Sequence, residues 1–134
     1  MNSSVNWHLM LEVFNCNREK LEKIDLIHSF LLSLPKKMEM GKTSEPMVFN
    51  YEAEAPEENG ISGVIKNGHA HISVHTFPEN NKAYVNLFSS KQVDTSTWRQ
   101  ELLNYFETSD FKEEIIAPKL FEEELPALAG SLRN

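Results

Sequence analysis

Apolar and polar positions alternate most regularly between Gly60 and Ser90. Ile61 to Lys66 carries the β-branched residues Ile61, Val64 and Ile65 and runs into Asn67-Gly68, a pair that suits a tight hairpin turn. His69 to His75 puts Ala70, Ile72 and Val74 on one side of a strand and His69, His71, Ser73 and His75 on the other. Phe77-Pro78-Glu79-Asn80-Asn81 has turn chemistry. Lys82 to Ser89 alternates again, with Ala83, Val85 and Leu87 opposite Tyr84, Asn86 and Phe88. This stretch predicts three consecutive strands joined by two tight turns.

The same reading extends to both sides. Trp7 to Phe14 predicts a first strand, Asn15-Cys16-Asn17 a turn, and Asn17 a helix N-cap. Leu21, Ile24, Ile27, Leu31 and Leu34 recur at helical spacing, which predicts a helix from about Glu19 to Leu34, stopped by Pro35. Lys36 to Glu45 is polar loop, Met47 to Glu52 a short strand and Ala53 to Asn59 an acidic turn. Asp94-Thr95-Ser96-Thr97 offers N-caps for a second helix from Ser96 to about Thr108, with Trp98, Leu102, Leu103, Tyr105 and Phe106 as its apolar face. Lys112 to Ile116 suits a last edge strand. The order β-α-β-β-β-β-α-β predicts an α+β fold: a two-layer sandwich, one mainly antiparallel sheet with two helices packed on one face. Residues 1–118 form this domain. Residues 119–134 mix Leu, Phe and Glu, are broken by Pro126, and read as a C-terminal extension that packs over the sheet or frays.

Composition narrows the function classes. At 134 residues the chain builds one core, not two. A net charge of −7 with scattered Lys and Arg argues against general nucleic-acid binding, which needs clustered cations. An acidic surface serves solubility and also suits a cationic ligand. The single cysteine, Cys16, rules out an internal disulfide and a cysteine-based zinc cluster. It reads as a packed turn residue, since no base stands near it in sequence. No run approaches the ~18 apolar residues of a membrane span, and no signal peptide is visible, so a cytoplasmic protein with no membrane partner is expected. His69, His71 and His75 share a strand face, but ~6.6 Å per same-face step leaves the outer two ~20 Å apart, too far for one ion. A His69–His71 pair would need an outside carboxylate, and the reading is no metal. No serine stands at a nucleophile elbow of the Ser-His-Asp kind.

Four blocks carry a resemblance. Gly60-Ile61-Ser62-Gly63-Val64, then His69-Ala70-His71-Ile72-Ser73-Val74-His75-Thr76-Phe77-Pro78-Glu79, then Ala83-Tyr84-Val85-Asn86-Leu87-Phe88-Ser89-Ser90 resemble the core of the prokaryotic-type S-adenosylmethionine decarboxylase family. That family reads roughly G-[VI]-[ST]-G-V, E-S-H-[IL]-[SA]-[IV]-H-T-W-P-E and A-x-V-D-[VIL]-F-[TS]-C-G. Near the start, His8, Leu9, Glu12, Phe14 and Cys16 fall on the family's G-R-H-L-[VIL]-x-E-x-[YF]-x-C-D.

The resemblance implies the same two-layer fold, dimers with active sites near the subunit contact, and an unusual chemistry. Decarboxylating an amino acid needs an electron sink. This family makes a pyruvoyl group by cutting its own chain before the serine of E-S-H. Here that serine is Ala70, whose methyl has no hydroxyl to attack the preceding carbonyl, so no pyruvoyl cofactor forms, and no lysine-based cofactor site takes its place. The acid before it is His69. The histidine that assists processing is kept as His75. The cysteine implicated as proton donor is Ser90, a far weaker acid. Phe77 keeps a ring for the nucleoside pocket. Glu54 falls where the family has an aromatic, and Glu79 and Glu12 keep the family's glutamates. The expectation is a polyamine (spermidine)-family protein that is not self-processing and lacks decarboxylase activity. It would bind S-adenosylmethionine or a related nucleoside, or act as a regulatory subunit, either as a homodimer or as a heterodimer with an active paralogue. The alternative is a genuine decarboxylase with the serine at position 70 engineered away.

Overall fold

The computed structural model describes residues 6–118. Eight-residue β1 (Trp7–Phe14) is followed by a one-turn helix α1 (Glu19–Glu22) and the longer α2 (Ile24–Lys37). Strands β2 (Met47–Tyr51), β3 (Gly60–Lys66), β4 (Ala70–Phe77) and β5 (Lys82–Ser89) come next. Helix α3 (Thr95–Phe106) and strand β6 (Asp110–Ile116) complete the order. The strands form one six-stranded sheet in the order β2-β3-β4-β5-β1-β6, and every neighbouring pair is antiparallel. The helices cover one face, as the pattern predicts. The expected extension at 119–134 lies outside the described residues.

One expected helix is two. Lys23 is extended (φ −107°, ψ 115°) and separates α1 from α2. The break leaves the Leu21 carbonyl without a helical partner, and the buried Thr76 hydroxyl donates to it at 2.7 Å. It also resets the helical phase. Ile24, expected on the apolar stripe, is 38% exposed, while Phe30 joins Ile27, Leu31 and Leu34 in the core. Nor does Pro35 stop α2. It sits in the last turn, buried, where its missing N–H costs one bond. The helix ends instead at Glu39 (φ 56°): Glu39 N–H donates to Lys36 O and Met40 N–H to Pro35 O, the paired closure of a Schellman motif.

The core lies between helices and sheet. Leu9, Leu11, Val13, Ile72, Val74, Ala83, Val85 and Leu87 point inward, against Leu21, Ile27, Leu31, Leu34, Trp98, Leu102 and Phe106. Buried Glu113 meets Arg99 at 2.8 Å and ties β6 to α3, and burial pushes its carboxyl pKa up against the pull of that guanidinium. Gly60 admits no side chain, because a Cβ there would lie 1.8 Å from the Thr76 carbonyl oxygen.

Among the described residues, no helix covers the opposite face of the sheet. Its residues align in rows across the strands. The first row is Lys66–His71–Phe88–His8–Ile116. The second is Met47–Val64–Ser73–Asn86–Met10–Glu114. The third is Phe49–Ser62–His75–Tyr84–Glu12–Lys112. The pairs Tyr51–Gly60, Phe77–Lys82 and Phe14–Asp110 lie at the far ends. Met47, Phe49, Tyr51, Phe88 and Ile116 on this face are 41–68% exposed.

Candidate functional site

The expected site residues separate into two groups at opposite ends of β4. At its start, Ala70 points into the core and is buried beside its cross-strand partner Ser89. The peptide between His69 and Ala70 is held from both sides. The His69 carbonyl accepts from the Ser90 backbone N–H at 2.9 Å, and the Ser90 hydroxyl lies 3.4 Å from the same oxygen. The Ala70 N–H donates to Asn67 Oδ1 at 2.8 Å, the His69 N–H donates to the same oxygen at 3.0 Å, and Asn67 Nδ2 donates to Met40 O at 2.7 Å. Asn67, read from sequence only as a turn former, therefore pins residues 69 and 70. His69 precedes β4 instead of opening it. Ser90, expected at the place of the family cysteine, is exposed and touches the carbonyl that precedes Ala70.

Five residues further on, ~17 Å along an extended strand, His75 faces the uncovered side. Its Nδ1 lies 2.9 Å from Ser62 Oγ on β3. Sequence quoted Ser62 within a motif but could not pair it with His75; the antiparallel register does. A cleft of about 250 Å³ is lined by Tyr51, Glu58, Gly60, Ser62, His75, Thr76 and Phe77. The Tyr51 and Phe77 rings, the His75 imidazole and the Ser62 hydroxyl line it. Phe77 packs edge-on against Tyr84 at 5.2 Å, and Lys82 lies 5.5 Å from the Phe77 ring centre and 3.8 Å from Glu12. Glu12 thus joins the Phe77 cluster through Lys82. A broader, open groove of about 540 Å³ shares Tyr51 and Gly60 with the cleft and is flanked by Glu22, Glu52 and Glu79. Glu79 is paired there with Arg18 at 2.6 Å, and Arg18 also bonds Glu22. Glu54 is exposed and lines neither space.

Three further features bear on chemistry. Cys16 is buried and its thiol pKa is pushed up to about 12, by burial first and Asp110 second, so it is no thiolate at neutral pH. Among the described residues no group of three His, Cys, Asp or Glu could hold a metal ion. No helix there is long and apolar enough to cross a membrane.

A sequence model of S-adenosylmethionine decarboxylase matches residues 7–117. The chain belongs to the S-adenosylmethionine decarboxylase family. The S-adenosylmethionine decarboxylase proenzyme of Prochlorococcus marinus is 28% identical over 131 residues, 97% of each chain. That of Oceanobacillus iheyensis is 28% identical over 103 residues, 76% of this chain and 77% of its own. That of Thermodesulfovibrio yellowstonii is 29% identical over 82 residues, 61% of this chain and 56% of the relative, so the match spans little more than half of that protein. The crystal structure of the adenosylmethionine decarboxylase from Aquifex aeolicus superposes with a TM-score of 0.69 over 87% of this chain and 92% of its own, at 15% identity, which establishes the shared fold.

Proposed function

We propose that this chain is a member of the family that stays uncut and does not decarboxylate. It binds S-adenosylmethionine or a related nucleoside, as a small-molecule-binding or regulatory subunit. The observation that carries the reading is the methyl group of Ala70. The peptide before it is gripped by Ser90 and Asn67, yet no hydroxyl stands at position 70 to attack it. The cleft at the other end of β4 supports the binding half of the reading. Tyr51 and Phe77 can flank a flat base, and Glu58 at its edge suits a cation.

The partner we assign is a second copy of this chain, seated on the uncovered sheet face. Within one chain the His75–Ser62 pair and the 69–70 peptide sit too far apart to act on one ligand. The face exposes five large apolar side chains. Five inter-strand gaps of ~4.8 Å and six residue steps of ~3.3 Å give a footprint of roughly 500 Å². Two copies would bury about 1,000 Å², the lower bound for a specific interface. A paralogue with an intact serine is the alternative occupant.

Intact-mass measurement of the purified chain, together with an assay of carbon dioxide release from carboxyl-labelled S-adenosylmethionine, tests the catalytic half. The expected result is one species of 15.4 kDa and no release above a blank. Cleavage at the 69–70 bond, or turnover by the uncut chain, would contradict it.

A further inference from the structure

The uncovered face has an electrostatic balance that the whole chain lacks. Overall the protein carries −7. In the strand rows of this face, three lysines (Lys66, Lys82, Lys112) stand against three carboxylates (Glu12, Glu114, Asp110). At neutral pH the strand rows of this face are therefore uncharged in sum, so net like charge within them does not oppose the meeting of two identical surfaces. Its remaining titratable side chains near the centre are histidines and Tyr84.

Two of the histidines sandwich one exposed ring. His8 stacks on Phe88 with ring centres 3.7 Å apart and planes inclined by 21°. His71 approaches the other side of Phe88 at 5.1 Å. The row begins with Lys66, directly across from His71. His8 Nε2 is buried and has no partner among the described residues. We infer that this row is an acid-sensitive contact: the face pairs with a second copy while its histidines are neutral and releases that copy when they take up protons. The inference rests on the second-copy reading above.

The charges around the row set the sign. His8 is flanked by Glu114 on β6 and hydrogen-bonded by Asn86 on β5, both of which favour its cation, while His71 disfavours it. Burial outweighs them and holds the imidazole below the ordinary histidine range. A group with a lowered folded value lends stability above its unfolded value and loses it as pH falls. Covering the face with a second copy removes more water and strengthens that preference. A proton on His8 adds positive charge to each of two facing surfaces, in a row that already holds Lys66. The bulk charge argues the other way, because acidification brings the chain from −7 toward neutrality and weakens general repulsion. Dissociation in acid would therefore be specific to this face.

Sedimentation velocity of the full chain at about pH 7.5 and about pH 5.8, on either side of the ordinary histidine value, tests this, with circular dichroism at both. The expected result is a dimer at the higher pH, a folded monomer at the lower, and a dissociation constant at least ~10-fold weaker in acid. The double variant His8→Asn/His71→Asn, or His8→Gln/His71→Gln where the first does not fold, should stay dimeric at both. A dimer equally strong at both pH values would overturn the inference and leave the second-copy reading intact. A monomer at both would overturn the two together. Acid sensitivity unchanged in the double variant, a larger species in acid, or loss of the sheet signal would each overturn the assignment to His8 and His71.

Discussion

Single atoms decide much of this protein. On the proposed reading, the hydroxyl absent from Ala70 is the nucleophile that self-cleavage would need, while the backbone around it is held by hydrogen bonds. Thr76 shows the opposite case. In sequence it was one letter of a His-Thr-aromatic-Pro-Glu run. In the fold its buried hydroxyl accepts from the Ile61 N–H at 3.0 Å and donates to the Leu21 carbonyl at 2.7 Å, so it joins β3, β4 and the end of α1. Replacing it by the isosteric valine leaves both backbone groups without this partner at a buried position. Thr76→Val should cost about 2–4 kcal/mol, read as a lower urea midpoint with an unchanged slope. A loss below about 0.5 kcal/mol would mean that the two bonds contribute little.

Strands were more legible than helices. The sequence located β1 and β5 to the residue and the other strands to within two, and in β1, β3, β4 and β5 one face is buried, so any slip would expose its apolar set. The break at Lys23 had no sequence signal. Leu21, Ile24 and Ile27 fit one helical stripe, and only the Thr76 hydroxyl, 55 residues away, makes the interruption affordable. Pro35 misled for a related reason: a proline in a final turn forfeits one bond, and the closure at Glu39 and Met40 satisfies the rest. The cap of α3 was legible because it is local. Asp94 accepts from the Ser96 and Thr97 N–H groups at 3.0 and 3.1 Å. Asp94→Ala should cost about 1 kcal/mol near neutral pH. The Thr97 backbone N–H, then its hydroxyl, holds the Asp94 carboxyl below the usual range. The stability that this cap lends is therefore complete above the unfolded value and lost as pH falls through the folded one. The gap between wild type and Asp94→Ala should close below about pH 4, a trend that thermal melts across that range would show.

At the scale of the whole molecule, the sequence identified the family and the fold class but not how the expected site residues are arranged. His75, Phe77, Ala70 and Ser90 are close in the chain, yet the strand carries the first two ~17 Å from the others. Motif letters do not show that separation; a six-stranded sheet with one bare face does. Glu54, placed by motif in the nucleoside pocket, lies outside the cleft, whereas Tyr51, which the motif did not single out, supplies a ring there. The aromatic wall therefore has a candidate from β2 itself. On the proposed reading, a binding cleft with Ser62 and His75 beside it stands apart from a held peptide that has no nucleophile.

Calorimetric titration of the uncut protein with S-adenosylmethionine tests that account most directly. The account predicts micromolar binding, about 8 kcal/mol, weakened at least ~10-fold in Phe77→Ala, where ~1.4 kcal/mol of ring contact is lost. No heat at concentrations well above that range, with the protein folded, would contradict it. The retained cleft would then have no nucleoside to hold.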